Sequence, residues 1–234
     1  MQSIVEQSSP EQSKAGLIMR KSVFLWILLF CTVSLSISPL WAETEGRSVD
    51  FDWYKTQFGS GGTGNCGPAS AAMAIQWATG QNTSVREIRN EIGEPNGNRA
   101  TSLDHQKWVI ARHGVKTAYI EVASAQELVG ILKRGNIAIL WIHTGKIRMA
   151  KGNVTDTREG RYYPDECGHY IVLHGVSPDG EFFVVHDPVP GDWATNTVRY
   201  PDGGMLGRNR YFPVSEVWAS LMQKKVIEVY RKKC

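Results

Sequence analysis

Residues 66–79 read CGPASAAMAIQWAT, and this stretch decides the fold because it predicts a helix that begins beside a cysteine. Most of these residues are good helix formers, Pro68 suits the first turn of a helix, and Gly80 is a typical stop signal. We therefore predict a helix over 68–79. The unpaired N–H groups and the dipole at its start would stabilise a thiolate, which makes Cys66 a candidate nucleophile. A buried or disulfide-bonded cysteine is the alternative.

Further helices are predicted before a run of strands. Ser84 with Glu87, and Ser124 with Glu127, have the spacing of capping boxes. The predicted helices cover about 84–92, 102–113 and 124–134, and the predicted strands begin at Val115, Ile137, Tyr170, Glu181 and Val226. Helices that precede mostly hairpin-linked strands are typical of an α+β domain, with N-terminal helices packed on a mostly antiparallel sheet.

The N-terminal region has the layout of a secretory signal. No charged residue occurs over 22–42, and Arg20 and Lys21 stand directly before this stretch. We predict cleavage after Ala42, hence a periplasmic or extracellular protein, with an uncleaved membrane anchor as the alternative. The pattern opens at Met19, which is a possible true start of the chain.

Composition is that of an ordinary globular protein. The 234 residues carry a formal net charge of +3 and are 42% hydrophobic, which excludes disordered, fibrous and disulfide-rich classes. So small a charge does not suggest a nucleic-acid partner. Residues 1–42 are interpreted as an extension with a signal peptide and 43–234 as a single catalytic domain, which would have no membrane partner after cleavage.

Three cysteines remain beyond the predicted cleavage site. Disulfides persist in exported proteins, and if Cys66 stays a free thiol, Cys167 and Cys234 are left to form a bridge. The rival pairing joins Cys66 to Cys167 as a redox latch. The spacings of cysteine and histidine match no common zinc pattern, so no metal or other cofactor is predicted.

A thiolate nucleophile needs a proton-carrying partner, and imidazole suits that task near neutral pH. His169 and His174 lie on one predicted strand, where a separation of five residues places them on opposite faces. His169, at the mouth of the strand, is the candidate base. His174 lies deeper and is interpreted as a structural histidine with its hydrogen bonds satisfied.

Asp187 is the candidate for orienting the imidazole. The turn signal Ser-Pro-Asp-Gly over 177–180 predicts a hairpin, and His169 and Asp187 each lie nine residues from Pro178. A loop of three or five residues would place them directly opposite on one face, about 5 Å apart at Cβ. A loop of two or four residues would place them on opposite faces. A turn-forming aspartate before proline is the alternative role.

The segments NCGPAS over 65–70, GHY over 168–170 and HDP over 186–188 together resemble the bacteriocin-processing, double-glycine cysteine peptidases and their stand-alone relatives. The resemblance spans roughly 54–188, and three motifs in the right order make it fairly specific. It implies a papain-like cysteine peptidase fold that needs no cofactor.

The same resemblance implies the roles of four residues. Cys66 would be the nucleophile, His169 the base and acid, and Asp187 the orienting group. A glutamine shortly before the cysteine would complete the oxyanion hole, and Gln57 is the candidate. Gln57 lies nine residues upstream of Cys66, farther than the usual papain-like spacing, because a glycine-rich stretch intervenes.

The function predicted from these residues is an exported cysteine peptidase that hydrolyses peptide or related amide bonds through a thioester. Its partner is a peptide or protein substrate, and the irregular loop over 144–166 is expected to shape one wall of the cleft. The alternatives are a papain-like acyltransferase and a non-catalytic peptide-binding domain of the same fold.

Overall fold

The computed structural model describes residues 49–61, 64–93, 100–148, 163, 165–190 and 206–231. These residues form α-helices and the strands of a sheet. The helices are α1 (Cys66–Thr79), α2 (Val85–Ile92), α3 (Leu103–Arg112), α4 (Ala125–Lys133) and α5 (Val214–Ser220). The strands are β1 (Thr117–Glu121), β2 (Ile137–His143), β3 (Gly168–Val176), β4 (Phe182–His186), β5 (Arg210–Pro213) and β6 (Lys225–Val229). None of the described helices is long and apolar enough to cross a membrane. The predicted signal over 22–42 lies outside the described residues.

Local sequence chemistry explains several of the helix ends. Gly80 ends α1 with φ 75°, and its N–H bonds the carbonyl of Gln76. Ser84 and Glu87 form the predicted capping box at α2. The capping box predicted at Ser124 is absent, because the Glu127 carboxylate accepts instead from the N–H of Ala123 at 3.1 Å.

The six strands form one sheet in the order β1-β6-β2-β3-β4-β5, and every neighbouring pair is antiparallel. Successive residues of a strand face opposite sides of the sheet, and both sides are covered. Ile137 and Ile139 of β2 pack with α1 in one core, whereas Leu140 and Ile142 pack in a second core on the opposite face. Helices α4 and α5 contribute to that second core.

The α+β class with N-terminal helices on an antiparallel sheet is therefore confirmed. All of the predicted helices and strands are present, with ends that shift by up to two residues. Strand β5 and helix α5 were not predicted, because each is short and lies directly against the other in sequence, with no turn signal between them.

Candidate active site

Cys66 is the first residue of α1, and the helix presents it to the start of β3. The backbone N–H groups of Gly67 and Tyr170 both point to its sulfur. A Cβ at Gly67 would lie 1.9 Å from the hydroxyl oxygen of Thr101, so only glycine permits this close approach. The start of α1 is thereby held against the segment that contains Thr101. The Cys66 thiol at this start is half-buried.

His169 lies between Cys66 and Asp187. Its Nε2 is 2.8 Å from Oδ1 of Asp187, and both side chains are at most 1% exposed. The imidazole also forms a hydrogen bond with the Cys66 thiol, for which Nδ1 is the remaining ring nitrogen. The structure therefore brings three of the four predicted site residues into one hydrogen-bonded chain.

The β3–β4 hairpin brings His169 and Asp187 together through its loop and a shift in strand register. The backbone N–H of Ser177 bonds the carbonyl of Phe182 at 2.8 Å, which closes a loop of four residues. Simple alternation would then place His169 and Asp187 on opposite faces. However, the pairing of β3 with β4 shifts by one residue between Leu173 and Gly175.

This β-bulge contains one extra residue on β3, and it restores Asp187 to the face of His169. The four-residue loop is thus the alternative that by itself would separate the two side chains, and the directly opposed pairing of a three- or five-residue loop does not form. Beyond the bulge Val172 pairs with His186, which places Ile171 opposite the next position, Asp187. His169 reaches Asp187 along the diagonal instead.

Several groups hold the Asp187 carboxylate and its backbone. Its Oδ1 also accepts from the N–H of Val189 at 2.7 Å, and its Oδ2 accepts from the hydroxyl of Tyr163. The Tyr163 ring is fully buried and lies edge-on to the His169 imidazole, with centroids 5.5 Å apart. The hydroxyl of Tyr54 donates to the Asp187 carbonyl at 2.8 Å. No sequence motif marked either tyrosine.

The charges of the site favour a thiolate beside an imidazolium. Burial disfavours the charged imidazole, but the charge and hydrogen bond of Asp187 outweigh it and raise the pKa of His169 to about 10. Burial likewise disfavours the thiolate, yet the hydrogen bond and charge of His169 lower the pKa of Cys66 below its usual value. Each of the two groups stabilises the charged form of the other.

Gln57 lies beside the same hairpin despite its unusual distance in sequence. Its backbone N–H bonds the carbonyl of Pro188 at 3.0 Å, and its side chain is 4% exposed. The side-chain oxygen forms no hydrogen bond with the described residues. The backbone bond to Pro188 holds the glutamine in the neighbourhood of Asp187.

A buried arginine holds the segment that leads into Cys66. Arg89 of α2 is fully buried, and its Nε donates to the side-chain oxygen of Asn65 at 2.9 Å. Its guanidinium also bonds the carbonyl of Gly64. Asn65 in turn donates to the carbonyl of Gly61. Sequence reasoning missed Arg89, because a single arginine on an amphipathic helix resembles a surface residue.

His174 is the bulged residue, and it lies away from the Cys66 chain. Its ring lies edge-on to Trp53 and tilted against His186, with centroid distances of 5.3 and 4.4 Å. Burial lowers the pKa of His174 to about 3, so the ring is neutral. Its Nε2 has no hydrogen-bond partner among the described residues, which contradicts the prediction of a satisfied structural histidine.

Cys66 and Cys167 are both free thiols, so neither predicted bridge is formed at these two residues. Cys234 lies outside the described residues. The Thr144 hydroxyl instead holds the backbone of Cys167, because it accepts a hydrogen bond from the Cys167 N–H at 2.8 Å. Residues 149–162 and 164 of the predicted cleft loop are also outside the described residues.

Within the part of the chain that the structure describes, no three metal-ligating side chains cluster. A cysteine at the start of a helix, packed on an antiparallel sheet, is the architecture of the papain-like class. The model of the Peptidase_C39 like family matches residues 50–213, and the chain belongs to this family.

No curated protein sequence matches this chain. The solved structures that match this chain include the following two. The peptidase domain of Streptococcus ComA, a bi-functional ABC transporter involved in a quorum sensing pathway, is 15% identical, with a TM-score of 0.49 and coverage of 76% of this chain and 98% of that chain. A protein described as a C39-like peptidase from Bacillus anthracis is 16% identical, with a TM-score of 0.45 and coverage of 77% and 95%.

Proposed function

We propose that this protein is an exported cysteine peptidase that hydrolyses peptide bonds with Cys66, His169 and Asp187. The observation that carries the proposal is the hydrogen-bonded chain from the Cys66 thiol through His169 to Asp187. A nucleophile, a base and an orienting group in that order form the arrangement required for nucleophilic catalysis. The raised pKa of His169 and the lowered pKa of Cys66 support it.

In the first half of the reaction, the Cys66 thiolate attacks the carbonyl carbon of the peptide bond. A C–S bond forms, and the carbonyl π electrons move to the oxygen. When they return, the C–N bond breaks, and the departing amine takes the proton from Nδ1 of His169. The acyl group remains on Cys66 as a thioester.

In the second half, His169 accepts a proton from water as the water oxygen attacks the thioester carbonyl. The C–S bond then breaks, the carboxylic acid leaves, and Cys66 returns as a thiolate beside an imidazolium. Asp187 holds the imidazole in the orientation that both halves need. The amide of Gln57 and the backbone N–H of Cys66 are proposed to stabilise the oxyanion in each tetrahedral intermediate.

The decisive test compares the two described cysteines, because Cys167 is also a half-buried free thiol. We expect iodoacetamide at mildly acidic pH to label Cys66 selectively, and Cys66→Ala to abolish digestion of a peptide library read by mass spectrometry. The loss should be on the order of 10⁴-fold or more, because no other group forms the thioester.

Cys167→Ala is the matched control and should digest the library as the wild type does. If Cys66 is labelled no faster than the thiols of the urea-unfolded chain, the protein is a peptide-binding domain. Product that accumulates only with an added amine acceptor would instead indicate an acyltransferase.

Export is proposed from the N-terminal pattern alone. N-terminal sequencing of the secreted protein is expected to begin at Glu43. Recovery of the intact 22–42 segment in the membrane fraction would indicate an anchor instead.

A further inference from the structure

A buried arginine contacts the segment that carries one of the proposed oxyanion donors, the backbone N–H of Cys66. Arg89 lies on α2 and is fully buried, and its Nε donates to Oδ1 of Asn65 at 2.9 Å. The guanidinium also donates to the carbonyl of Gly64. One side chain therefore holds both of the residues that directly precede the nucleophile.

The Asn65 side chain is used for this contact and not for capping the helix. Asparagine is a preferred residue directly before a helix, where its side chain accepts from an N–H of the first turn. Asn65 occupies that position before α1, yet its side chain forms no capping bond. Its Oδ1 accepts from Arg89, and its Nδ2 donates to the carbonyl of Gly61. A contact with a distant helix thus replaces a local cap.

The peptide group between Asn65 and Cys66 sets the direction of the proposed donor. The carbonyl of Asn65 accepts from the N–H of Ala69 at 2.9 Å, as in a regular helix, so it points into α1. The carbonyl and the N–H of a planar trans peptide point in opposite directions. The Cys66 N–H is therefore directed out of the start of α1, the end at which the thiol lies.

Arg89 holds this peptide group from the side that helix bonding does not reach. The first N–H groups of a helix have no acceptor within it, so the helix alone does not fix the backbone that precedes them. Asn65 has φ −93° and ψ 4°, between the extended and the helical values. The bonds to the Gly64 carbonyl and to the Asn65 side chain hold these angles from the N-terminal side. The direction of the Cys66 N–H thus depends on Arg89.

The chemistry of the guanidinium explains why an arginine occupies this buried position. Charged side chains are rarely fully buried, because the removal of a charge from water is costly. An apolar side chain in place of Arg89 would fill the space without that cost. What the guanidinium adds is a rigid, planar fork of N–H donors, which holds two acceptors in a fixed relation to each other. The gain is therefore in geometry at Gly64 and Asn65.

We propose that Arg89 is a positioning residue that aligns the Cys66 N–H with the oxyanion of the tetrahedral intermediate, acting through Gly64 and Asn65. This inference rests on the proposed cysteine peptidase function and adds a residue to it. It concerns acyl transfer alone. When iodoacetamide alkylates the thiolate, a C–S bond forms and iodide leaves a saturated carbon, so no oxyanion develops and the Cys66 N–H is not needed.

The test compares two reactions of the same thiolate at one pH. The first is hydrolysis of a library peptide that the wild type cleaves, measured as kcat and KM, and the second is iodoacetamide labelling of Cys66. Arg89→Lys keeps the charge, but an ammonium group does not reproduce the planar fork. The ratio of kcat/KM to the labelling rate constant should fall by about tenfold or more, through kcat and with KM changed less than about twofold, because loss of a whole oxyanion donor costs about 10²–10³-fold in kcat.

The ratio separates positioning from a merely structural role. A substitution that only lowers the folded fraction reduces both rates together and leaves their ratio unchanged. Asn65→Ala is the second variant, because it removes the acceptor of the Arg89 Nε–H while the arginine stays in place, and it should also lower the ratio. Arg86→Lys is the matched control. It makes the same change at an exposed position of α2 and should keep the wild-type ratio.

An unchanged ratio in Arg89→Lys or in Asn65→Ala, with a wild type that cleaves the peptide, would overturn the positioning proposal and leave the peptidase proposal standing. An equal fall of the ratio in Arg86→Lys would also overturn it. A wild type that cleaves no peptide of the library would overturn both proposals together.

Discussion

β3 carries a histidine near each end, and the surroundings shift the pKa values of the two imidazoles in opposite directions. His169 at the start of the strand has its pKa raised to about 10, whereas His174 at the bulge has its pKa lowered to about 3. Burial alone disfavours the imidazolium at both positions. The difference is the carboxylate of Asp187, which lies 2.8 Å from His169 and has no counterpart among the described groups that shift the pKa of His174.

A single strand therefore carries a charged imidazole at one end and a neutral one at the other. A buried histidine beside an anion stays charged and can hold a proton for a reaction. A half-buried histidine among aromatic rings stays neutral in the folded protein. The unfolded chain then binds a proton more readily than the folded one, so the folded state loses stability in acid. Substitutions along β3 and its partners should therefore affect activity at one end and stability at the other.

Among substitutions on β3 and its partner strands, His169→Ala should produce the largest loss of activity. The Cys66 thiolate would lose its partner and the amine its proton donor, so kcat should fall by roughly 10²–10⁴-fold or more. The midpoint of the alkylation rate against pH should move upward, because burial then raises the pKa of the thiol unopposed by the imidazolium. His174→Ala is the comparison, since its folded fraction should keep the wild-type rate. Loss of activity in that variant alone would mean that the wrong histidine had been assigned.

Asp187→Asn should have the next largest effect. It removes the charge that raises the pKa of His169 but keeps a similar shape. A hydrogen bond to a charged group contributes about 1.5–3 kcal/mol, so kcat should fall roughly ten- to a hundredfold. The alkaline limb of the rate profile should move to lower pH. An unchanged alkaline limb would show that Asp187 does not set the charge of His169.

Tyr163→Phe should have a smaller effect, because it removes one hydrogen bond from a carboxylate that keeps its bonds to His169 and Val189. The loss of about 1 kcal/mol should lower kcat roughly fivefold. KM should stay unchanged if Tyr163 positions Asp187 without touching the substrate. Steady-state kinetics on a cleaved library peptide separate the two parameters, and a change in KM alone would contradict this role.

His174→Leu should leave the rate unchanged and alter only the acid stability. The folded pKa of about 3 lies below the unfolded value of 6.5, so the unfolded chain binds the extra proton. Stability is therefore complete above pH 6.5 and declines as the pH falls toward 3. Removing this group should reduce the slope of unfolding free energy against pH by up to about 1.4 kcal/mol per unit. Urea titrations across this range measure it, and an unchanged slope would contradict the assignment.

Much of the fold could be predicted because its signals are local. The cysteine at the start of α1 follows from helix propensity, Pro68 and Gly80, which act within a few residues of one another. The capping box at Ser84 and the turn at Gly180, where φ is 75°, are equally local. Short runs rich in β-branched and aromatic residues predicted the strands, and three short motifs in order indicated the family.

The sequence by itself determined the candidate site residues: a cysteine at the start of a helix, a histidine at the start of a strand, and an aspartate after a strand. Only the tertiary structure decided how they meet. The bulge at His174 reverses the face on which Asp187 lies, and a one-residue shift leaves no mark in hydrophobic periodicity. The buried support from Arg89 and Tyr163 also depends on contacts between distant segments. Those contacts form because the packed sheet brings the segments together, not because their spacing requires it.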